Sequence, residues 1–211
     1  YCGEIPNTVK EFLKESKFDT KYMYLILTYG NSASDCPEFT YNEFKALGIN
    51  FDYIDTVHCV DNYLPVFDMA EKKIDKQTDI QIAHIIKNIR LMKKGIPSAT
   101  DADRKLHKQV ATLNKLIPSF NNGKMIKITD KCIGCKVCEK VCPTGNIIVL
   151  TNYAQRRSKK CEYCLACVHA CPQKAIIVKH EKNKNERYRN ENVSLDEIIK
   201  SNFQDRRESY E

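Results

Sequence analysis

The sequence predicts a mixed fold, an α/β part with a parallel sheet followed by a small α+β module crowded with cysteine. Apolar runs alternate with helix-spaced patterns over residues 1–94, the signature of a parallel sheet. Eight of the 11 cysteines fall between Cys132 and Cys171, while Cys2, Cys36 and Cys59 are scattered. The charge is uneven too. Residues 124–178 hold ten Lys/Arg against three Asp/Glu, a surplus equal to the +7 of the whole chain. A hydrophobic content of 42% supports a packed core rather than a disordered chain.

Four regions follow in order: 1–94, a helical linker at 95–123, the cysteine module at 124–178 and a charged tail at 179–211. In the first, Thr8-Val9-Lys10-Glu11 fits a capping box, with Val9, Phe12 and Leu13 on one helical face. Tyr22-Met23-Tyr24-Leu25-Ile26-Leu27 predicts a buried parallel strand running into the polar loop Thr28 to Ser34. A short helix is predicted over 37–47 and a second strand over 51–60, rich in β-branched and aromatic residues. Ile82, Ile85, Ile86 and Ile89 mark a helix that stops near Gly95-Ile96-Pro97. In the linker, Leu106, Val110, Leu113 and Ile117 recur at helical spacing, and Pro118 and Asn121-Asn122-Gly123 close it. The tail balances eight basic with eight acidic residues and reads as solvated, with a short amphipathic turn over 193–199.

The chemistry lies in two matching runs, Cys132-x2-Cys135-x2-Cys138-x3-Cys142-Pro143 and Cys161-x2-Cys164-x2-Cys167-x3-Cys171-Pro172. This is the spacing of bacterial proteins that bind two [4Fe-4S] clusters. Three thiolates at two-residue gaps wrap one corner of a cubane, and the fourth, on the following helix, reaches the other cluster. Cys132, Cys135, Cys138 and Cys171 are therefore expected at one cluster, and Cys161, Cys164, Cys167 and Cys142 at the other. Structural zinc favours two separated cysteine pairs, and disulfides favour a secreted chain. Both would make the tandem spacing an accident. Apolar runs at 125–128, 147–150 and 175–178 are expected to pair as short ribbons over the clusters. Gly134 would let backbone N–H groups approach sulfur. The second loop carries Tyr163 and Leu165 and no glycine, so it is expected to be bulkier and drier. His169, between two ligands, is either a packing residue or a tuner of the potential. Arg156-Arg157-Ser158-Lys159-Lys160 is either a solvated hairpin or a docking patch for an acidic partner.

Thr28-Tyr29-Gly30, Asp61-Asn62-Tyr63-Leu64-Pro65, the linker helix and the paired cysteine runs, in this order, resemble the EFR-type ferredoxins. These fuse a flavodoxin-like domain to a bacterial two-cluster ferredoxin, and the resemblance covers about residues 1–178. It implies a partial flavodoxin-like parallel sheet with helices, then a dicluster ferredoxin-like module. It also implies about two and a half strands upstream of Tyr1-Cys2-Gly3-Glu4-Ile5-Pro6, which would be the end of a third strand. By resemblance, Gly3, Tyr29, Gly30 and Asn31 lie beside an FMN ring, with Tyr29 stacked on it. The loop that cradles the flavin phosphate in such domains is not in this sequence, which argues against tight FMN binding.

The function expected is electron transfer, with single electrons relayed through two [4Fe-4S] clusters and exchanged with a flavin in a longer form. The alternative is the electron-feeding part of a flavin-dependent oxidoreductase. No substrate-pocket motif, nucleotide fingerprint or triad spacing favours an enzyme. The basic charge offsets anionic clusters, so nucleic acid is not an expected partner, and a redox protein is. There is no apolar run long enough to span a bilayer and no signal peptide, and the clustered cysteines point to the reducing cytoplasm.

Overall fold

The computed structural model describes residues 3–71, 75–116, 123–158 and 160–202. Of the residues singled out above, Tyr1, Cys2, Ile117, Pro118, Asn121, Asn122 and Lys159 lie outside the described residues, as does the tail beyond 202. The chain divides into two compact units. One comprises Tyr1–Asp61 and Lys73–Ile117, the other Asn62–Lys72 and Pro118–Glu211. No described helix is long and apolar enough to cross a membrane.

The first unit is built on a parallel pair, β1 (Tyr24–Tyr29) and β2 (Tyr53–His58), in register from Tyr24 opposite Tyr53 to Tyr29 opposite His58. Alternation along the strands sends side chains to two faces. Leu25, Leu27 and Ile54 join Ile5, Leu13, Phe44 and Phe51 on one face, under α1 (Asn7–Glu15) and α2 (Cys36–Lys45). Ile26, Tyr53 and Val57 meet Ile85 and Ile89 of α3 (Thr78–Arg90) on the other. Helices on both faces suit a parallel sheet, whose crossovers place them there. Among the described residues the sheet stops at two strands. No residue of β1 is fully buried, against the expectation of a buried strand, because β2 is its one neighbour there.

Local details depart from the sequence reading. Pro6 occupies the cap of α1 and Thr8 lies inside the helix, so the expected capping box does not form at Thr8. Reciprocal boxes form elsewhere. Asp103 and Thr100 exchange bonds ahead of α4 (Asp101–Leu116), and Glu197 and Ser194 do so ahead of α7 (Leu195–Asn202). In α3, Ile82 and Ile86 are exposed while Asn88 is buried, its amide donating to the Tyr53 hydroxyl at 3.0 Å. The face turned to the sheet is thus Ile85-Asn88-Ile89, offset from the expected isoleucine stripe. The apolar stripe of α4 is exposed at Leu106 and Leu113. Polar contacts hold this helix instead. Arg104 grips Glu38 through two nitrogens at 2.8 and 3.0 Å, and buried His107 sits 2.7 Å from Asp35 and 3.5 Å from Glu4.

The second unit is a pseudo-repeat. β3 (Ile126–Ile128) pairs antiparallel with β6 (Ile176–Val178), and β4 (Ile147–Leu150) with β5 (Tyr153–Arg156). Two short helices, α5 (Val137–Lys140) and α6 (Ala166–Ala170), follow the cysteine triplets. β5 was not anticipated. Thr151 and Asn152, both at positive φ, make the two-residue turn that folds it onto β4. Asn62–Lys72, which the sequence places in the first region, belongs to this unit because Leu64 and Met69 are buried in its core. The expected solvated tail is also folded as far as Asn202. Glu181 is buried against Arg187 and the Val178 amide, and Tyr188 packs on the core.

Phe44, fully buried at the centre of the first unit, is the strongest test of this packing. Phe44→Ala is expected to cost about 3–5 kcal/mol, and Leu47→Ala, at an exposed site, less than about 0.5 kcal/mol. Urea unfolding followed by amide exchange in β1 and β2 measures both.

Candidate metal centre

Each triplet of cysteines is carried on the same backbone trace. The second residue after the leading cysteine is left-handed in both loops, Gly134 (φ +66°) and Tyr163 (φ +53°). So is the fourth, Lys136 (φ +64°) and Leu165 (φ +60°). The chain then enters α5 or α6, which bring Cys138 and Cys167 inward to buried positions. Left-handed backbone favours glycine, yet only Gly134 takes it, for steric reasons. A Cβ there would stand 2.5 Å from the Asn152 Cα, so the β4–β5 turn rests directly on this glycine. Clearance for that turn is the structural reason for Gly134.

The thiols gather into two cavities. Cys132, Cys135, Cys138 and Cys171 line one, with Val149, Ala154 and Ile176. Cys142, Cys161, Cys164 and Cys167 line another, with Ile126, Ile147 and Arg156. In each case the fourth thiol comes from the opposite half of the repeat. Backbone amides point at the sulfurs: Ala154 N–H to Cys132 (3.4 Å), Ala175 N–H to Cys171 (3.3 Å), Asn146 N–H to Cys142 (3.2 Å) and Tyr163 N–H to Cys161 (3.4 Å). Asn146 was missed in the sequence. Its buried side chain accepts from the backbone and hydroxyl of Ser158, which ties the inter-motif segment to the Cys142 corner.

The donor set fits a multi-iron group better than a lone ion. All ten described cysteines are free of disulfides. Among the described residues no three His, Cys, Asp or Glu converge closely enough to hold one metal ion. The thiols instead surround a space, as ligands of an extended cluster must. Burial, with repulsion from the neighbouring thiols, pushes Cys138 up to about 11 and Cys167 well above the ordinary thiol range. Without metal these groups are protonated, and binding must displace their protons.

The two cavities differ in cover. Cys135 is exposed, and Ile133 beside it is 59% exposed. The second loop is roofed by Asn62–Lys72. Tyr63 meets Tyr163 edge-on at 6.1 Å, and Leu64 and Leu165 are buried in one cluster. His169 anchors this roof. Its Nε2 lies 3.0 Å from the Asn62 carbonyl, and its Nδ1 accepts the Tyr188 N–H at 3.1 Å. That pairing requires the neutral ring protonated on Nε2, and burial pushes the residue down to about 4. His169 is thus a structural bracket.

At the other end of the chain, Tyr29 closes β1 with its ring stacked on His58 at 4.8 Å. The Gly30 carbonyl bonds the same histidine at 2.7 Å, and a Cβ on Gly30 would meet Asp61 at 2.6 Å. Asn31 is exposed in the following loop. Gly3 lies against His107 and Asp35. The structure therefore brings Tyr29 and Gly30 together with His58, a residue the sequence did not single out, and sets Gly3 in different company.

Residues 124–172 match the family model of the 4Fe-4S dicluster domain, and this stretch is a ferredoxin-like iron–sulfur module. Comparison with curated proteins and with solved structures finds no match.

Two substitutions probe the site. Gly134→Ala drives a methyl group into the Asn152 backbone and is expected to destabilise by roughly 2 kcal/mol or more. The shifted Asn152 amide resonance would report it. His169→Ala leaves the Asn62 carbonyl and Tyr188 amide without their partner, at an expected cost of about 1–3 kcal/mol. Faster exchange of the Tyr188 amide is the direct readout.

Proposed function

We propose that this chain is a one-electron carrier holding two [4Fe-4S] clusters, one on Cys132, Cys135, Cys138 and Cys171, the other on Cys142, Cys161, Cys164 and Cys167. The observation that carries this reading is the gathering of eight thiols into two cavities, each completed from the other half of the repeat. Bound clusters supply single-electron chemistry without proton transfer. The protein's own part is to hold the thiols, donate amide N–H groups to four of their sulfurs, and set how much water reaches each centre. Four such bonds favour the more negative sulfur and raise the potential, whereas burial of charge lowers it. The exposed Cys135 corner is the natural place for exchange with a redox protein partner, since electrons pass most readily where the centre lies nearest the surface. A reducing compartment, such as the cytoplasm, suits eight reduced thiols.

A second reading has support of its own. Tyr29, Gly30 and His58 lie at the carboxyl ends of two parallel strands, where α/β sheets bind ligands. This is the place a flavodoxin-like domain would present FMN, and it would make the chain the electron feed of a flavin-dependent oxidoreductase. Quenching of FMN fluorescence on titration with the protein would support it.

Iron and acid-labile sulfide per chain decide the first reading. Roughly eight of each is expected after anaerobic purification, falling to roughly four in Cys135→Ser or in Cys164→Ser, with loss confined to the altered centre. Zinc without sulfide would overturn the reading.

A further inference from the structure

The geometry points to Arg156 as the residue that sets the electron affinity of the centre at Cys142, Cys161, Cys164 and Cys167, by fixing a positive charge against the Cys161 sulfur. This rests on the two-cluster reading above and concerns one of the two centres. Arg156 ends β5, five residues before Cys161, and lines the second cavity with the four thiols. Its Nη1 donates to the carbonyl of buried Gly123. Gly123 stands at φ +68°, and a Cβ there would meet both Arg156 Nη1 and Cys161 Sγ at 2.8 Å. Guanidinium, glycine and sulfur thus share one corner, and the missing side chain at 123 is what leaves room for cation and sulfur together.

The charge acts on the sulfur it faces. Arg156 and Cys161 line the same cavity and meet at the corner that Gly123 leaves open. Glu162 lines the same cavity with the opposite sign, so removal of Arg156 leaves a carboxylate beside the thiols. The first cavity has no equivalent. Its one charged lining residue is Lys136, an exposed side chain whose ammonium is strongly hydrated. Reduction adds one negative charge to a centre and takes up no proton. A half-buried cation next to a ligand sulfur therefore stabilises the reduced state, with moderate screening.

The test is an EPR-monitored redox titration of the full iron-loaded chain. In Arg156→Gln, one of the two potentials is expected to move negative by a threefold to tenfold change in its reduction equilibrium, tenfold being about 59 mV for one electron. The other potential and the iron content are expected to stay in place. Arg156→Lys keeps the charge and is expected to return most of the shift, which a merely structural contact to Gly123 would not do. Two unshifted potentials in Arg156→Gln overturn the proposal, and so does an Arg156→Lys potential as low as that of the glutamine variant. If Arg156→Gln fails to load iron, Arg156→Lys alone decides, and a potential well below wild type overturns the role of charge. A wild-type chain without two reducible clusters would instead overturn the reading beneath.

Discussion

The second unit depends on an exchange of thiols between its halves. Cys171 stands with the first triplet and Cys142 with the second, so neither cavity is complete within one half of the repeat. From this exchange the rest of the unit follows. The helices that lead to the crossing thiols, α5 and α6, must pack together, and they do. The last strand must come back to the first, which the β3–β6 pairing accomplishes. The remaining pair, β4 and β5, closes the gap between the motifs and rests on Gly134.

Energetically, such a module is short of core. Its strands are three or four residues long, and two cavities occupy the space where a larger domain would place side chains. Buried thiols crowd those cavities and resist ionisation without a metal. Metal binding is then folding energy as much as chemistry. Two additions enlarge the apolar core on the protein side, the Asn62–Lys72 segment and the Tyr188 region, and both meet at His169. The contacts at His169 are neutral, while the buried Glu181–Arg187 pair beside Tyr188 brings its own compensating charge.

The cysteine spacing made the grouping of the thiols legible before any coordinates, because two-residue gaps force a tight loop and the fourth cysteine lies beyond a helical turn. The parallel pairing of β1 and β2 was legible from two apolar runs separated by a helix. What escaped the sequence was mostly polar and non-local. Nothing in the pattern around Asn88 or His107 announces burial, since each is buried through a partner far along the chain, Tyr53 for one and Asp35 for the other. The capping box at Thr8 failed because Pro6, with no N–H to give and φ already set, starts the helix earlier. Gly134 was legible as a special position, but its reason, the approach of Asn152, depends on a hairpin that the sequence did not reveal.

The placement of Asn62–Lys72 has a consequence during synthesis. The Asn62 carbonyl waits for His169, a partner 107 residues downstream. At typical translation rates of about 5–20 residues per second, that interval is roughly 5–20 s. About half of it completes the first unit, which ends at residue 117, and the rest makes the cysteine module, whose core Tyr63, Leu64 and Met69 then enter. A nascent chain in this state carries an apolar hook with a long lifetime. The cysteine module, once made, must close around a segment already in place, so its assembly is timed by the ribosome as well as by the supply of iron.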